Sequence, residues 1–162
     1  MTTLPVPSAV VIVASTRAAA GLAADTTGPR LVAWFEERLW AVTGPVVVAD
    51  GEPVAVALRS ALADGPDVVV TTGGTGVSPT DATPEVTSPL LDRRLPGVEE
   101  ELRRRGLAQT PLAALSRGLV GIAGRTLVVN LPGSTGGVSD GLAVLDELLD
   151  HVIDQLHGGG HD

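Results

Sequence analysis

The chain contains no cysteine and no lysine. The lack of cysteine excludes disulfide bonds, thiolate zinc sites and cysteine nucleophiles. All eleven basic residues are arginine, which also excludes a P-loop lysine, a Schiff-base lysine and a lysine general base. These two absences argue against covalent catalysis by a protein side chain.

Aromatic residues and long apolar runs are also scarce. Trp34, Phe35 and Trp40 are the only aromatic residues, so the predicted core is aliphatic. No apolar run approaches the length that spans a membrane. No basic region precedes the first apolar stretch, as it would in a signal peptide. We therefore expect a cytoplasmic protein that does not bind a membrane.

The rest of the composition is typical of a globular protein. The length of 162 residues corresponds to one domain, and 44% of the residues are hydrophobic while 19% are charged. The net charge of −8 argues against a nucleic-acid partner, because such a partner needs a basic face. An acidic protein that binds an anion must use local backbone N–H groups, arginines or a metal ion.

Short β-branched runs alternate with amphipathic segments along the chain. The predicted strands lie at residues 9–14, 45–49, 67–72 and 126–130, with a short hairpin at 115–122. The predicted helices lie at 29–39, 54–63, from 83 onward, at 96–105 and at 138–157, and 16–28 is a predicted loop. This alternation predicts an α/β fold with a mainly parallel sheet covered on both faces. We expect one domain over residues 1–157 and a flexible tail at 158–162.

Three loops are expected to meet at one edge of this sheet. In open parallel sheets, ligands bind beyond the C-terminal ends of the strands. The loops that follow the predicted strands there begin at residues 15–17, 73–76 and 130–137. Asp50, at the end of the second strand, would reach the same edge.

The stretch Gly73-Gly74-Thr75-Gly76 is the first candidate for ligand binding. Glycines after a strand let backbone N–H groups approach an oxyanion without a Cβ in the way, and Thr72 and Thr75 add hydroxyl donors. The alternative is a tight turn that needs glycine and binds nothing. We expect Gly74 to serve ligand approach more than stability.

Asp50 and Asp81 are the candidate carboxylates. A carboxylate that faces an anion-binding crevice is explained by a divalent cation between it and the phosphates, and Mg²⁺ needs only one or two carboxylates in addition to phosphate oxygens. The alternative is structural: Asp50 would start a turn with Gly51, and Asp81 would cap the next helix.

Two further segments carry polar groups to the same edge. Asn130, the only asparagine, ends a strand, and its amide can donate to and accept from a heterocycle. Its structural alternative is a bond to a neighbouring loop. The segment 134–137 precedes the long helix and offers a second anion site, with capping by Ser134 or Ser139 as the alternative.

A charge run and the histidines are predicted to be structural. Each acid in the first half of 99–105 has an arginine four residues later, which indicates a solvated helix face. His151, His157 and His161 have neither zinc-site nor triad spacing, and we expect them at the surface or in the tail.

Taken together, the motifs resemble one family. The sequence TTGGTG at 71–76, followed by DATPE at 81–85, resembles the TTGGTG and D-x-T-P-E/D signatures of the molybdopterin-binding Mog/MoaB family. The segments STR at 15–17, LSR at 115–117 and NLPG at 130–133 agree in order and spacing, as does Asp50 after the second strand. The resemblance covers residues 9–156.

The resemblance implies a three-layer α/β/α domain that forms a homotrimer and binds molybdopterin. In the adenylyltransferase members, the terminal phosphate of molybdopterin attacks the α-phosphate of Mg-ATP, so that pyrophosphate leaves and adenylyl-molybdopterin forms. Such catalysis is positional and electrostatic, which suits a chain without a strong nucleophile. A molybdenum-insertion protein is an implied partner.

The family's functional residues can be carried over position by position. Asp50 and Asp81 would be catalytic and would hold Mg²⁺ and the nucleotide phosphates. The resemblance implies that the substrates, molybdopterin and ATP, contact Ser15, Thr72, Gly73, Gly74, Thr75, Gly76, Ser116, Asn130, Pro132, Gly133 and Ser134.

The chain departs from the family pattern at three positions. Thr16 stands where the family often has aspartate, Thr80 where members commonly carry arginine, and Gly106 where many have a serine of the pterin site. Arg17 or Arg117 is a candidate to replace the missing positive charge. Two functions therefore compete: a molybdopterin adenylyltransferase, favoured by Asp50 and Asp81, and a module that binds molybdopterin or a nucleotide without turnover, favoured by Thr80.

Overall fold

The computed structural model describes residues 5–159. Within this range the strands are β1 (Ser8–Ala14), β2 (Ala41–Val48), β3 (Val68–Thr72), β4 (Arg93–Arg94), β5 (Val120–Ala123) and β6 (Thr126–Leu131). The α-helices of the same range are α1 (Thr16–Ala19), α2 (Thr27–Glu37), α3 (Glu52–Ala63), α4 (Thr83–Thr87), α5 (Pro96–Leu107) and α6 (Thr135–Leu156). Short 3-10 turns cover Ser88–Leu90 and Pro111–Leu115. None of these helices is long and apolar enough to cross a membrane.

The strands form one sheet in the order β2-β1-β3-β6-β5-β4. Strands β2, β1, β3 and β6 run parallel, whereas β5 and β4 add antiparallel pairs at one edge. Every residue of β3 and β6 is buried, as expected of central strands covered on both faces. The predicted α/β fold with a mainly parallel sheet is confirmed.

Helices on both faces of the sheet make three layers. On one face, α2, α5 and α6 surround a core that includes Phe35, Leu131 and Leu145. On the other face, α3 and α4 cover a smaller core, in which Leu58 packs near Ile12. Phe35 is the only fully buried aromatic residue of the described range, so the predicted aliphatic core is confirmed.

The second strand is longer than predicted. It begins at Ala41, whereas the sequence pattern placed its start at Pro45. Pro45 lies inside the strand, after a cis peptide bond with Gly44. A proline is tolerated there because β2 is an edge strand, in which some N–H groups have no partner strand.

The hairpin predicted at 115–122 is wrong. Leu115 ends a 3-10 turn, and the hairpin instead joins β5 to β6 through Gly124 and Arg125. Gly124 has a φ of +60°, a conformation that favours glycine in a two-residue turn. The pattern failed here because β5 is only four residues long and follows an irregular segment.

The predicted loop at 16–28 contains helical structure at both ends. Helix α1 is a single turn, capped by the Ser15 hydroxyl, which accepts from the Ala18 N–H at 3.1 Å. Helix α2 begins at Thr27, earlier than the predicted Pro29. The Gly28 N–H donates to the Asp25 carboxylate at 3.0 Å, which supports this earlier start.

Helix α6 also begins before its predicted start at residue 138. The Ser134 hydroxyl accepts from the Gly137 N–H at 3.0 Å, so Ser134, and not Ser139, is the N-cap. The glycines at 136 and 137 concealed this first turn, because glycine disfavours helix. The remaining helix and strand boundaries lie within one or two residues of the predicted ones.

The predictions for the histidines and the tail are only partly covered by the structure. His151 and His157 are exposed, as predicted, and His157 Nε2 lies 2.7 Å from an Asp67 carboxylate oxygen. Residues 160–162 of the predicted tail, including His161, lie outside the described residues, as do residues 1–4.

Glu99 contradicts the prediction of a solvated charge run. Its side chain is only 2% exposed, and it accepts hydrogen bonds from the Arg94 guanidinium at 2.6–3.0 Å and from the Val120 N–H at 3.2 Å. The predicted ion pair of Glu99 with Arg103, four residues later, is confirmed at 4.0 Å. The charge pattern concealed this role because Arg94, the main partner, precedes helix α5.

The other two predicted pairs give mixed results. Arg104 pairs with Glu101, three residues earlier, and not with Glu100. Arg105 does pair with Glu101, as predicted, and also with Glu147 on α6. The hydrogen bonds from Arg104 and Arg105 lower the pKa of Glu101 to about 2.

We expect Glu99→Ala to lower the free energy of unfolding by about 2–3 kcal/mol, because it leaves the buried Val120 N–H without an acceptor. The matched control is Glu100→Ala. Glu100 is exposed and has no side-chain partner among residues 5–159, so its removal should change stability by less than about 0.5 kcal/mol. Urea unfolding of both variants measures the difference, and equal effects would contradict the structural role of Glu99.

Candidate functional site

The C-terminal ends of β3 and β6 meet at a cavity of about 650 Å³, whereas the loop at 15–17, which was expected at the same place, is not part of its wall. Helix α5, the 3-10 turn Pro111–Leu115 and the first turns of α6 complete its wall. The predicted site residues that line it are Gly73, Gly74, Thr75, Gly76, Asp81, Ser116, Asn130, Pro132, Gly133 and Ser134. Ser15, Asp50 and Thr72 are predicted site residues outside this lining.

Gly73 and Gly74 are required by the fold of the loop itself. Their φ angles are +94° and +68°, in the left-handed region that favours glycine. A Cβ on Gly73 would overlap the Ala14 carbonyl oxygen, and one on Gly74 would overlap the Thr83 hydroxyl. The expectation that Gly74 serves ligand approach more than stability is therefore wrong, since its conformation and packing alone demand glycine.

Hydrogen bonds hold this loop in one position. The Gly73 N–H donates to the Leu131 carbonyl at 3.0 Å, which extends the pairing of β3 with β6 by one residue. Thr83 donates from its N–H to the Gly74 carbonyl and from its hydroxyl to the Gly73 carbonyl, both at 3.0 Å. The carbonyls are thereby turned away from the cavity into the protein.

The N–H groups of the same loop are available to a ligand. Among residues 5–159, the backbone N–H groups of Gly74, Thr75 and Gly76 have no acceptor. All three residues line the cavity. Successive unpaired N–H groups form a concavity that binds an anion. The first turn of α6, with Gly136 in the lining, brings further unpaired N–H groups and the positive end of a 22-residue helix.

Thr72 and Asn130 support the site from behind. Thr72 is fully buried, and its hydroxyl donates to the Pro132 carbonyl at 2.8 Å. The Asn130 amide accepts from the Leu119 N–H at 3.1 Å and donates to the hydroxyls of Thr71 and Thr87 at 2.9 and 3.2 Å. The Asn130 amide is therefore engaged in hydrogen bonds within the protein, as the structural alternative to a ligand role predicted, although the residue lines the cavity.

Ser15 and Ser116 take different positions relative to the cavity. The Ser15 hydroxyl caps α1 and is not part of the cavity wall. Ser116 does line the cavity, with its hydroxyl 3.5 Å from that of Thr75. Of these two serines, Ser116 is therefore the one in position to contact a ligand in the cavity.

Asp50 and Asp81 lie beside two glycines of the loop. One Asp50 oxygen is 3.0 Å from the position that a Cβ on Gly74 would take, and one Asp81 oxygen is 2.8 Å from the corresponding position on Gly76. The Asp81 carboxylate accepts from the Ser78 N–H at 3.1 Å. It does not cap α4, whose N-cap is another residue, so the structural alternative proposed for Asp81 is wrong.

Thr16 orients Asp50. The Thr16 hydroxyl donates to an Asp50 oxygen at 2.9 Å, and its N–H contacts the same oxygen at 3.2 Å. The other Asp50 oxygen faces Gly74. Where the family often has aspartate, this chain thus has a hydroxyl donor, which avoids placing two carboxylates against each other.

The Arg117 guanidinium is engaged in hydrogen bonds with the loop, so its charge is not available to a ligand. Its guanidinium donates to the carbonyls of Gly76 at 2.8 Å and Asp81 at 3.1 Å, and it pairs with Glu85. The hydrogen bond from Arg117 holds the pKa of Glu85 below its usual value. Arg117 is therefore wrong as a replacement anion ligand. Arg17 is exposed and has no partner within residues 5–159.

The cavity also contains residues that the motifs did not single out. Arg103, Gln109 and Asp140 belong to its wall, next to Gly106. Arg103 donates to the Ser116 carbonyl at 3.2 Å, which fixes the wall between α5 and the loop. An acid in the second turn of the helix after the NLPG loop was the available signal for Asp140. Nothing in the sequence indicated that α5 would form part of the cavity wall.

Asp50 and Asp81 are the two carboxylates that lie beside the glycine loop. Within residues 5–159, no group of three or more His, Cys, Asp or Glu side chains could hold a metal ion. The oxygens of Asp50 and Asp81 are hard donors of the kind that Mg²⁺ prefers. Their chemistry is compatible with Mg²⁺, which proteins bind through one or two carboxylates.

Comparison with known proteins is consistent with this geometry. The model of the family described as "Probable molybdopterin binding domain" matches residues 10–151. The "Mog protein from Mycobacterium ulcerans" superposes with a TM-score of 0.89 at 50% identity, over 93% of this chain and 99% of that one.

Two curated relatives extend the comparison. A "Molybdenum cofactor biosynthesis bifunctional protein" of Chlorobaculum tepidum is 40% identical over 96% of this chain and 50% of its own length. A "Molybdopterin adenylyltransferase" of Haemophilus influenzae is 36% identical over 79% of this chain and 67% of its own length. The chain thus spans about half the length of the bifunctional relative. With a family match over most of its length and a shared fold, the chain belongs to the molybdopterin-binding domain family.

Proposed function

We propose that this chain acts in molybdenum cofactor biosynthesis as a molybdopterin adenylyltransferase. An oxygen of the terminal phosphate of molybdopterin attacks the α-phosphorus of ATP, the bond from that phosphorus to the bridging oxygen breaks, and pyrophosphate leaves. The observation that carries the proposal is the row of unpaired N–H groups at Gly74, Thr75 and Gly76, beside two aspartates. The name of the Haemophilus influenzae relative supports the same reaction.

The loop would hold the nucleophilic phosphate by its backbone. Three N–H donors and the start of α6 can bind its oxygens without a lysine. Such donors are fixed in position, so they need no rearrangement as charge develops during transfer. Positioning of two phosphates accounts for catalysis in a chain that offers no cysteine or lysine nucleophile.

Asp50 and Asp81 would hold Mg²⁺ together with the nucleotide phosphates. When bound, the ion would neutralise charge on the phosphate oxygens. Thr16 keeps one Asp50 oxygen turned toward Gly74, and the Ser78 N–H fixes Asp81. A passive anion binder gains nothing from two carboxylates at this place, which favours the enzyme over the non-catalytic module.

The remaining predicted site residues divide by their contacts. We propose that Ser116, Pro132, Gly133 and Ser134 contact substrate, because they line the cavity. Ser15, Thr72 and Asn130 act as positioning residues, since their polar groups are engaged within the protein. We further propose a single domain over residues 1–157, a cytoplasmic homotrimer, and a molybdenum-insertion protein as a partner.

We expect Asp81→Asn to reduce adenylyl transfer by at least about 100-fold while molybdopterin still binds. Asparagine keeps an oxygen that can accept from the Ser78 N–H, but it lacks the charge that a magnesium ion needs. Formation of adenylyl-molybdopterin from molybdopterin, ATP and Mg²⁺ measures transfer. Molybdopterin affinity is measured separately without ATP.

The control and a companion variant sharpen this test. Asp64→Asn removes the same charge at an exposed helix end and should leave transfer unchanged. Asp50→Asn should act mainly by raising the Mg²⁺ and ATP concentrations required. Turnover by Asp81→Asn at the wild-type rate would contradict the catalytic role, and absence of transfer by the wild-type chain would favour the non-catalytic module.

We expect Gly76→Ala to lose molybdopterin affinity by at least about tenfold with little change in Tm, whereas Gly74→Ala should lower stability by about 1–2 kcal/mol. Gly76 lacks a positive φ, and a Cβ there meets only the end of the Asp81 side chain. Thermal melting and molybdopterin titration without Mg²⁺ or ATP, on the same samples, separate the two effects. Normal binding by a folded Gly76→Ala chain would contradict a role of the loop in holding phosphate.

A trimer is the expected state in solution. Trp34 is half-buried in one subunit, and its ring lies under the Arg38 guanidinium, 3.6 Å from the ring centroid. Multi-angle light scattering at micromolar concentration should give about three times the mass of 16.4 kDa. A monomer mass under those conditions would refute the trimer.

A further inference from the structure

Thr87 lies in a buried chain of hydrogen bonds beneath the cavity. It is the last residue of helix α4, it follows the DATPE segment by two positions, and its side chain is fully buried. Its hydroxyl donates to the Thr83 carbonyl at 2.7 Å and accepts from the Asn130 amide at 3.2 Å. The hydroxyl therefore connects the end of strand β6 to the start of α4.

The Asn130 amide sets the direction of these bonds. The Leu119 N–H can only donate, so the amide oxygen faces it, at 3.1 Å. The amide nitrogen then faces the hydroxyls of Thr71 and Thr87, at 2.9 and 3.2 Å. Because Thr87 accepts from this nitrogen, its single proton is directed to the Thr83 carbonyl. The chain of bonds therefore runs in one direction, from Leu119 to Thr83.

Thr83 connects this chain of bonds to the glycine loop. Its hydroxyl donates to the Gly73 carbonyl and its N–H to the Gly74 carbonyl, both at 3.0 Å. Helix α4 has only five residues, so its own backbone hydrogen bonds are too few to hold it in place. The position of Thr83 therefore depends on bonds to the rest of the protein, and Thr87 supplies one of them.

An ordinary helical side-chain bond is the alternative explanation for Thr87. A threonine hydroxyl often donates to the carbonyl four residues earlier, and such a bond by itself indicates no function. The bond from Asn130 distinguishes Thr87 from that case. Asn130 on β6 is the register partner of Thr71 on β3, and its amide also bonds to the Thr71 hydroxyl. The Thr87 hydroxyl is therefore held by the two central strands that lead into the site.

We propose that Thr87 is a positioning residue for the binding of a phosphate by the N–H groups of Gly74, Thr75 and Gly76. It acts through Thr83, which holds the loop carbonyls away from the cavity and so leaves these N–H groups for the ligand. Thr87 is not part of the cavity wall and touches no ligand itself. The inference rests on the proposed function, because that function supplies the phosphate.

The test removes the Thr87 hydroxyl and compares this change with a matched one far from the site. Thr87→Val keeps the shape of the side chain without the hydroxyl, and Thr87→Ser keeps the hydroxyl. The control is Thr126→Val. Thr126 is also buried, and its hydroxyl donates to the Pro66 carbonyl at 2.6 Å, at the end of β6 away from the cavity. Both valine variants lose a buried hydroxyl bond, so we expect similar decreases in Tm.

Binding of molybdopterin without Mg²⁺ or ATP gives the first measurement. We expect Thr87→Val to lower the affinity by at least about tenfold, whereas Thr126→Val and Thr87→Ser should stay within about threefold of the wild-type chain. Two-dimensional ¹H–¹⁵N NMR should show shifted amide signals of Gly74, Thr75 and Gly76 in Thr87→Val and unshifted ones in Thr126→Val.

Three results would overturn the inference. These are wild-type affinity in a folded Thr87→Val chain, equal losses of affinity in the two valine variants, and a loss of affinity in Thr87→Ser as large as that in Thr87→Val. If Thr87→Val does not fold, Thr87→Ala also lacks the hydroxyl and is judged by the same criteria. If neither variant folds, Thr87 serves stability and the inference is wrong.

The transfer assay separates this inference from the proposed function. Thr87→Val should raise the KM for molybdopterin by at least about tenfold and leave the KM for ATP within about threefold, because Asp50 and Asp81 hold the nucleotide. If Thr87→Val loses molybdopterin affinity as expected but the wild-type chain forms no adenylylated product, the proposed reaction fails and the inference stands. If transfer occurs and Thr87→Val changes neither the affinity nor the KM for molybdopterin, the inference fails and the reaction stands. No saturable binding of molybdopterin by the wild-type chain would overturn both.

Discussion

The site depends on the way the backbone leaves strand β3. The Gly73 N–H continues the hydrogen bonding between β3 and β6. Thr83 then donates hydrogen bonds to the carbonyls of both Gly73 and Gly74. With the carbonyls bound on one side, the next N–H groups are left without acceptors toward the cavity. This arrangement requires a positive φ at two successive residues and close contact with β1, which only glycine allows. Arg117 holds the far end of the loop through the Gly76 and Asp81 carbonyls.

Opposite charges are separated within one acidic chain. The backbone supplies positive character at the glycine loop and at the start of α6, and no free lysine or arginine is needed there. Carboxylates stand at two other places: Asp50 and Asp81 beside the loop, and Asp140 on the α5 side of the cavity. The wall of the cavity therefore combines backbone N–H groups that have no acceptor among residues 5–159 with carboxylates.

Sequence periodicity described the central elements well and the edges less well. Strands β1, β3 and β6 are short β-branched runs buried on both faces, so their pattern alone located them. The edge strand β2 contains a proline that such a pattern treats as a break, and the short β5 depends on its partner β6. Glu99 was misassigned for a related reason, because its burial comes from Arg94 and Val120 rather than from its own helix.

The sequence by itself determined the α/β alternation, the glycine loop and the pair Asp50 and Asp81, because these are local signals at the ends of recognisable strands. The tertiary structure decided which polar groups remain free for a ligand. Asn130 and Thr72 look like ligands in the sequence, but their hydrogen bonds are made within the protein. Asp140, by contrast, has no hydrogen-bond or ion-pair partner among residues 5–159 and lies in the cavity wall near Gly106. Hydrogen-bond satisfaction is a property of packed neighbours, which no periodicity along the chain encodes.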